Sequence, residues 1–277
     1  MVEPRRAIVM HNVTHLRAAP KSGSELVSQA LGGQTVDVLK EENGWAWVQT
    51  PDTYRGWAET RWLAPVSDDD ARCVPIPFAD VRAEPSHTAA LVERLSVGCA
   101  YSLASNEKHE TFVPVRLPDG VTAGWLDNTG FERYAPSGLE RGALAAWHGR
   151  EYLGTPYLWG GSSAFGLDCS GFVQLCYRLA GLTLRRDADI QRNDPRFVSI
   201  EQNDLRPGDL VFFGRSDKIT HVGMHFANNT FIHSAGGAGV IFTEWGDDRY
   251  SPSYVDTRRL NPAQINEPVT RYEAENR

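Results

Sequence analysis

The chain reads as an α+β protein in which two small all-β modules precede a larger domain built around a cysteine-bearing helix packed on strands. Three observations predict this. The N-terminal half repeats itself in short Val, Leu and Trp runs cut by Gly, Pro, Asn and Asp; a compact apolar helix pattern opens at Cys169; and histidine-bearing strand patterns follow at His221 and His233. At 277 residues there is room for two or three domains and a sizeable core.

The repeat comes first along the chain. Leu16-Arg17-Ala18-Ala19-Pro20 recurs as Val81-Arg82-Ala83-Glu84-Pro85, Leu26-Val27 as Leu91-Val92, and Gly33 as Gly98. Val48-Gln49-Thr50-Pro51-Asp52 with Gly56-Trp57 then recurs as Val115-Arg116-Leu117-Pro118-Asp119 with Gly124-Trp125. The register drifts by a few residues between the early and late matches, as a longer hairpin loop in the second copy would cause. Each copy predicts a small β-barrel. The acidic run Ser67-Asp68-Asp69-Asp70 is expected to link the modules, and Tyr134-Ala135-Pro136-Ser137-Gly138 to lead into the third domain.

From Phe172 to Ala180 apolar residues cover most faces of a short helix that Gly181 can end in a left-handed conformation. Cys169 falls in its first turn, within Asp168-Cys169-Ser170-Gly171, where unpaired N–H groups and the positive end of the helix dipole favour an anion. A thiolate is such an anion, and a helix N-terminus with a nearby imidazolium can lower a cysteine pKa from about 8.5 to roughly 3.5–7.5. The same N–H groups can hold an oxyanion. A lone helical cysteine is ordinarily a small buried hydrophobe, and Cys176 is read that way.

The turn at Arg206-Pro207-Gly208 precedes a core strand, Asp209-Leu210-Val211-Phe212-Phe213. In the next strand, period-two alternation puts Val222, Met224 and Phe226 on one face and His221, Gly223 and His225 on the other, with Gly223 expected to leave space beside His221. The strand Thr230-Phe231-Ile232-His233-Ser234 offers His233 to the far nitrogen of the His221 ring, fixing tautomer and orientation. The remaining histidines, His11, His15, His87, His109, His148 and His225, are read as structural or surface residues.

Together these segments resemble the catalytic domain of the NlpC/p60 family of bacterial cell-wall cysteine peptidases, a papain-like fold. The resemblance rests on Gly154-Thr155-Pro156-Tyr157-Leu158-Trp159-Gly160-Gly161, the Asp168-Cys169-Ser170-Gly171 turn, Arg186-Asp187, Arg206-Pro207-Gly208-Asp209-Leu210, His221-Val222-Gly223 and Phe231-Ile232-His233. It implies Cys169 as nucleophile, His221 as general base and acid, and His233 as the orienting third residue. It also implies that the Tyr157 hydroxyl joins the Cys169 N–H in the oxyanion hole; the alternative for Tyr157 is an aromatic wall residue.

The repeated modules resemble bacterial SH3-like domains, which gives a three-domain reading: 1–67, 71–134 and a peptidase domain over 138–277. That order is similar to one branch of the family, the γ-D-glutamyl-L-diamino acid endopeptidases, in which the first SH3-like domain closes the pocket beyond the γ-D-glutamate. The branch accepts only muropeptides with a free N-terminal L-alanine. Within it, Tyr54 matches a substrate-contacting tyrosine and Asp187 the carboxylate that meets the alanine ammonium, a charge-assisted pairing that an acylated substrate could not make. Tyr54 could instead cap a barrel, and Asp187 could pair with Arg185 or Arg186. Glu41, Glu42 and Gln34 are candidates for a further amine contact. Asp168 and Ser170 are implied to touch substrate, and Asp168 is equally suited to cap the helix.

The four cysteines, with Cys73 and Cys99 in the second module, show no metal-ligand spacing, and no cofactor is called for. Met1 to Met10 carries Glu3, Arg5 and Arg6 without an apolar run of signal-peptide length, so a cytoplasmic location is expected. A net charge of −7 without a basic cluster argues against nucleic acid or anionic membrane as partners; the muropeptide ligand is what the resemblance implies. The polar tail after Asn261 is expected to be loose. Two other functions fit parts of the pattern: an exported hydrolase of intact peptidoglycan, and a non-catalytic wall-binding protein. A transferase on the same scaffold would need only a different acyl acceptor.

Overall fold

The computed structural model describes residues 4–66, 71–131, 138–215 and 218–264. The expected link at 67–70, most of the one at 134–138, and the tail from 265 onward lie outside the described residues. The chain divides into two compact units, one of 1–51 and 55–135, the other of 136–277 together with Asp52–Tyr54.

The first unit contains two sheets. Strands β1 (Arg5–Val9), β2 (Val13–Arg17), β3 (Leu26–Leu31), β4 (Thr35–Glu42), β5 (Trp45–Gln49), β6 (Arg55–Glu59) and β7 (Leu63–Pro65) form a seven-stranded sheet in the order β3-β2-β6-β5-β4-β1-β7. Strands β8 (Ala71–Cys73), β9 (Phe78–Arg82), β10 (Leu91–Ser96), β11 (Ala100–Leu103), β12 (Phe112–Arg116) and β13 (Ala123–Asp127) form a six-stranded sheet in the order β10-β9-β13-β12-β11-β8. The two orders are the same pattern, and the sequence repeat has physical counterparts in both. Arg17 lies opposite Trp57 and Arg82 opposite Trp125. Their guanidinium groups donate to the loop carbonyls of Ser24 at 2.9 Å and Ala89 at 3.0 Å, respectively. Alternation along each strand then fills two separate cores, one around Leu16, Val36, Ala46 and Val48, the other around Val81, Leu95, Val115 and Leu126.

The second unit is α+β. It contains α1 (Arg141–Gly149), the short pair β14 (Ser162–Ser163) and β15 (Gly166–Leu167), α2 (Cys169–Leu179), α3 (Ala188–Arg192), and an antiparallel sheet of β16 (Phe197–Ser199), β17 (Leu210–Arg215), β18 (Lys218–Ala227), β19 (Thr230–Ala235), β20 (Gly239–Glu244) and β21 (Tyr254–Leu260). The sheet order is β16-β21-β17-β18-β19-β20. Helix α2 is buried from Cys169 to Tyr177, which explains its lack of a polar face, and Gly181 follows its C-cap at φ +79°. One face of the sheet meets the helices, with Phe172, Met224 and Ile232 gathered around Gly149. The other face carries Val211, Phe213 and Phe231 against Trp245, Tyr250 and Tyr254. Among the described residues no helix is long and apolar enough to cross a membrane.

Candidate active site

The site is assembled where the N-terminus of α2 meets β18. Asp168 is the N-cap of α2: it has extended backbone angles and its Oδ1 accepts the Gly171 N–H at 2.7 Å. Gly171 must be glycine, because a Cβ there would lie 2.1 Å from the Gly161 carbonyl oxygen of the loop that crosses the helix start. The same Asp168 carboxylate accepts the Gly160 N–H at 2.9 Å, and Arg186 grips it bidentately at 2.9 Å and 2.6 Å. The Arg186 side chain is 1% exposed, so this is a fully buried ion pair. Ser170 Oγ joins the cluster, donating to Asp168 at 3.3 Å and accepting from Arg186 at 2.9 Å. Five donors fill the lone pairs of one carboxylate, which gives Asp168 the capping role; Ser170 is bonded to Asp168 and Arg186.

Cys169 thereby stands at a helix start whose geometry is rigidly fixed. Its thiol meets the Val222 N–H, one residue beyond His221 on β18. The sequence predicted a lowered thiol pKa; the site does the opposite. Burial and the Asp168 carboxylate push the thiol up to about 11, against the smaller opposing pull of the Val222 and Ser170 N–H groups and Arg186. The helix-terminus effect is real in sign and is outweighed by desolvation and by the very carboxylate that caps the helix.

His221 Nε2 and His233 Nδ1 are 2.6 Å apart, and His233 Nε2 lies 2.9 Å from Thr243 Oγ1 on β20. The consistent proton arrangement has His221 Nε2–H donating to His233 and His233 Nε2–H donating to Thr243, leaving His221 Nδ1 as the open base. Burial lowers His221 to about 4 and His233 to about 3, the latter also under the charge of Arg249 and the influence of His221. Burial thus favours the neutral thiol and neutral rings at rest. The space expected at Gly223 is filled: a Cβ there would meet Phe231 at 3.0 Å and the His233 Cβ at 3.1 Å, so this glycine lets His233 approach and does not make room for substrate.

Tyr157, half-buried and bridged to Leu167, has its hydroxyl pushed up to about 12, chiefly by burial and then by Cys169 and Asp168, so it remains a proton donor. Asp187 is the N-cap of α3 without making a side-chain cap bond. Burial, then Asp189, Asp168 and Asp52, hold its carboxyl up at about 6 despite the opposing pull of Arg186. Tyr54, from the three-residue segment that belongs to this unit, has its phenol pushed well up by burial and then by Asp187. Gln174 on α2 clasps that segment, donating from Nε2 to Asp52 Oδ2 at 2.6 Å and to the Leu184 carbonyl at 3.0 Å. The structure thus brings Cys169, His221, His233, Tyr157, Asp168, Ser170, Asp187 and Tyr54 into one unit. Glu41 and Glu42 are exposed on β4, paired with Arg5 and Lys40, and Gln34 folds back onto the Leu31 N–H. Sequence reasoning assigns no site role to Thr243, Gln174 or Asp52, and offers Arg186 only as a candidate partner of Asp187, not of Asp168.

Comparison with known proteins agrees with this geometry. Residues 154–259 match the NlpC/P60 family and residues 16–63 the bacterial dipeptidyl-peptidase Sh3 domain. Dipeptidyl-peptidase 6 of Lysinibacillus sphaericus is 28% identical over 88% of this chain and 93% of its own length. A γ-D-glutamyl-L-lysine dipeptidyl-peptidase of Bacillus cereus is 29% identical over 87% of this chain and 77% of its own. The crystal structure of an NlpC/P60 family protein from Bacillus cereus superposes with a TM-score of 0.77 at 23% identity, covering 93% of this chain and all of that one, a likeness of fold. With a thiol at a helix start, a histidine relay on the neighbouring strands and family matches over both regions, the chain belongs to the NlpC/P60 family of cysteine peptidases and carries a bacterial dipeptidyl-peptidase SH3 domain ahead of the catalytic one.

Proposed function

We propose that the protein is a γ-D-glutamyl-L-diamino acid endopeptidase. It hydrolyses the bond between γ-D-glutamate and the diamino acid, diaminopimelate or lysine, in peptidoglycan peptides with a free N-terminal L-alanine. The observation that carries this reading is Asp187, a half-buried carboxyl held up at about 6 by burial and by Asp189, Asp168 and Asp52 even with Arg186 beside it. Such a group gains from a cation, and the ammonium of L-alanine supplies one by a charge-assisted hydrogen bond. The names borne by the two relatives that span most of the chain support the same substrate class.

In this reading the Cys169 sulfur attacks the γ-carbonyl carbon while its proton passes to His221 Nδ1. The Cys169 N–H and the Tyr157 hydroxyl hold the oxyanion. His221 then returns the proton to the amine nitrogen as the C–N bond breaks, leaving a thioester. Water gives a proton to His221, adds to the thioester, and L-Ala-γ-D-Glu departs as the thiol is restored. The two sheets of the first unit are read as two SH3-like domains over 1–67 and 71–134, ahead of a papain-like domain over 138–277. A free L-alanine amine arises only after a peptide has been released from glycan, which supports a place in cell-wall recycling and, with it, a cytoplasmic setting.

The test is to incubate the protein with L-Ala-γ-D-Glu-diaminopimelate and its N-acetylated counterpart and follow dipeptide release by mass spectrometry. Cleavage of the free peptide alone is expected. Below about 6 Asp187 becomes neutral and loses its hold on the ammonium, so kcat/KM should fall as pH drops through that value. Asp187→Asn should flatten this limb and erode the preference for the free amine. Equal cleavage of both peptides would favour a hydrolase of intact wall, and cleavage of neither a transferase or binding role.

A further inference from the structure

The His221 ring has a neighbour that neither the strand pattern nor the catalytic roles explain. Tyr250 lies outside the sheet, at the start of the turn Ser251–Ser253, where its carbonyl accepts the Ser253 N–H at 3.0 Å and the Ser253 hydroxyl at 2.9 Å while its own N–H reaches the Asp247 carbonyl at 3.1 Å. Those bonds pin the backbone from which the ring projects. The ring stacks on His221 with centroids 5.3 Å apart and planes 29° apart, and stands edge-on to His233 at 4.8 Å and 89°. Phe213 and Phe231 hold it in turn, at 5.5 Å and 5.7 Å.

The geometry points to Tyr250 as a positioning residue for the catalytic pair, its ring face holding the His221 imidazole in the plane that serves both Cys169 and His233 and favouring the imidazolium formed when the thiol proton is taken up. The inference rests on the assignment of His221 as base. A half-turn of that imidazole about its Cβ–Cγ bond would exchange both nitrogens for carbons, breaking the His233 bond and turning the open nitrogen away. One hydrogen bond at Nε2 resists this at an edge, and a stacked ring resists it over the whole face. The negative π-face also attracts a cation. The charged and titratable groups around the pair are Asp168 and Cys169 from the α2 start, His233 on β19, and Asp247 and Arg249 on the loop that carries Tyr250. Of these, Asp168 raises the basicity of His221, while burial, then His221 and then Arg249 lower that of His233.

The test compares Tyr250→Leu, which keeps the site dry but removes the π-face, with Tyr250→Phe, which removes only the hydroxyl. The first readout is the rate of Cys169 alkylation by iodoacetamide from pH 5 to 10. Alkylation needs no peptide, so the result is read the same way whichever substrate the enzyme takes. Leu is expected to slow alkylation at neutral pH by about tenfold and to lower kcat with little change in KM; Phe is expected to stay within twofold of the wild type. The second readout covers a Leu variant that fails to fold: in the intact protein, the His221 ring protons should be shifted upfield by the Tyr250 ring current. Wild-type alkylation in the Leu variant, an equal loss in the Phe variant, or unshifted His221 ring protons would each overturn the inference.

Discussion

Replacing Cys169 with alanine is expected to abolish hydrolysis while leaving the fold intact. The acyl-enzyme route has no substitute nucleophile: among the described residues the other cysteines are Cys73, exposed on β8, Cys99, buried in the first unit, and Cys176, buried two turns along α2. Loss of the nucleophile in enzymes of this type costs at least about 10⁴-fold in kcat. Serine is expected to fare little better, because its hydroxyl is a much weaker acid and a poorer nucleophile than a thiol. Stability should change by less than about 1 kcal/mol, since the side chain is small and the helix cap is untouched. Because the thiol is held at about 11, alkylation of the wild-type protein should keep rising with pH above neutrality. A plateau already reached at pH 6 would show that thiolate and imidazolium form together at rest, and would displace the neutral pair described above.

The largest loss of stability is expected at Arg186. Its guanidinium, 1% exposed, holds both oxygens of Asp168, the Ser170 hydroxyl at 2.9 Å and the Gly161 carbonyl at 3.3 Å. Arg186→Met would leave the Asp168 charge buried with only N–H and hydroxyl donors, which costs about 3–5 kcal/mol, a fall of roughly 10 °C in the unfolding midpoint of the second unit. Lysine would not rescue it, because a point charge cannot make the paired bonds of a planar fork. Activity should fall with it, since the same carboxylate sets the first turn of α2 and so the direction of the Cys169 N–H. Combining Arg186→Met with Asp168→Asn should recover part of the stability by removing the orphaned charge. A single variant that unfolds within about 1 kcal/mol of the wild type would show that the cap alone holds the helix start.

Much of this was legible from sequence because it is local. The repeat declares itself through Arg, Pro, Gly and Trp at matched places, and these fix turns and cross-strand pairs wherever they occur. The helix start at Asp168-Cys169-Ser170-Gly171 is a capping pattern, and period-two alternation was enough to aim His233 at His221. What escaped was long-range or energetic. Gln174 meets Asp52 from 122 positions away, and Arg186 meets Asp168 from 18; neither spacing has a local signature. Thr243 and Tyr250 reach the histidines from a neighbouring strand and a loop. Gly223 was read as space because the sequence does not reveal that Phe231 and His233 fill it. The direction of the thiol shift is not legible in the sequence, because a helix dipole can be read there, whereas the desolvation that outweighs it belongs to the packed interior.

The neutral resting state of the nucleophile has a consequence for its survival. Peroxide and other oxidants attack thiolates that solvent can reach, and the first step leads to sulfenic acid. Cys169 is 8% exposed and held as a thiol, whereas Cys73 lies open on a short strand of the other unit. Peroxide is therefore expected to reach Cys73, which has no part in the chemistry, before Cys169, whose burial both shields the sulfur and disfavours its thiolate.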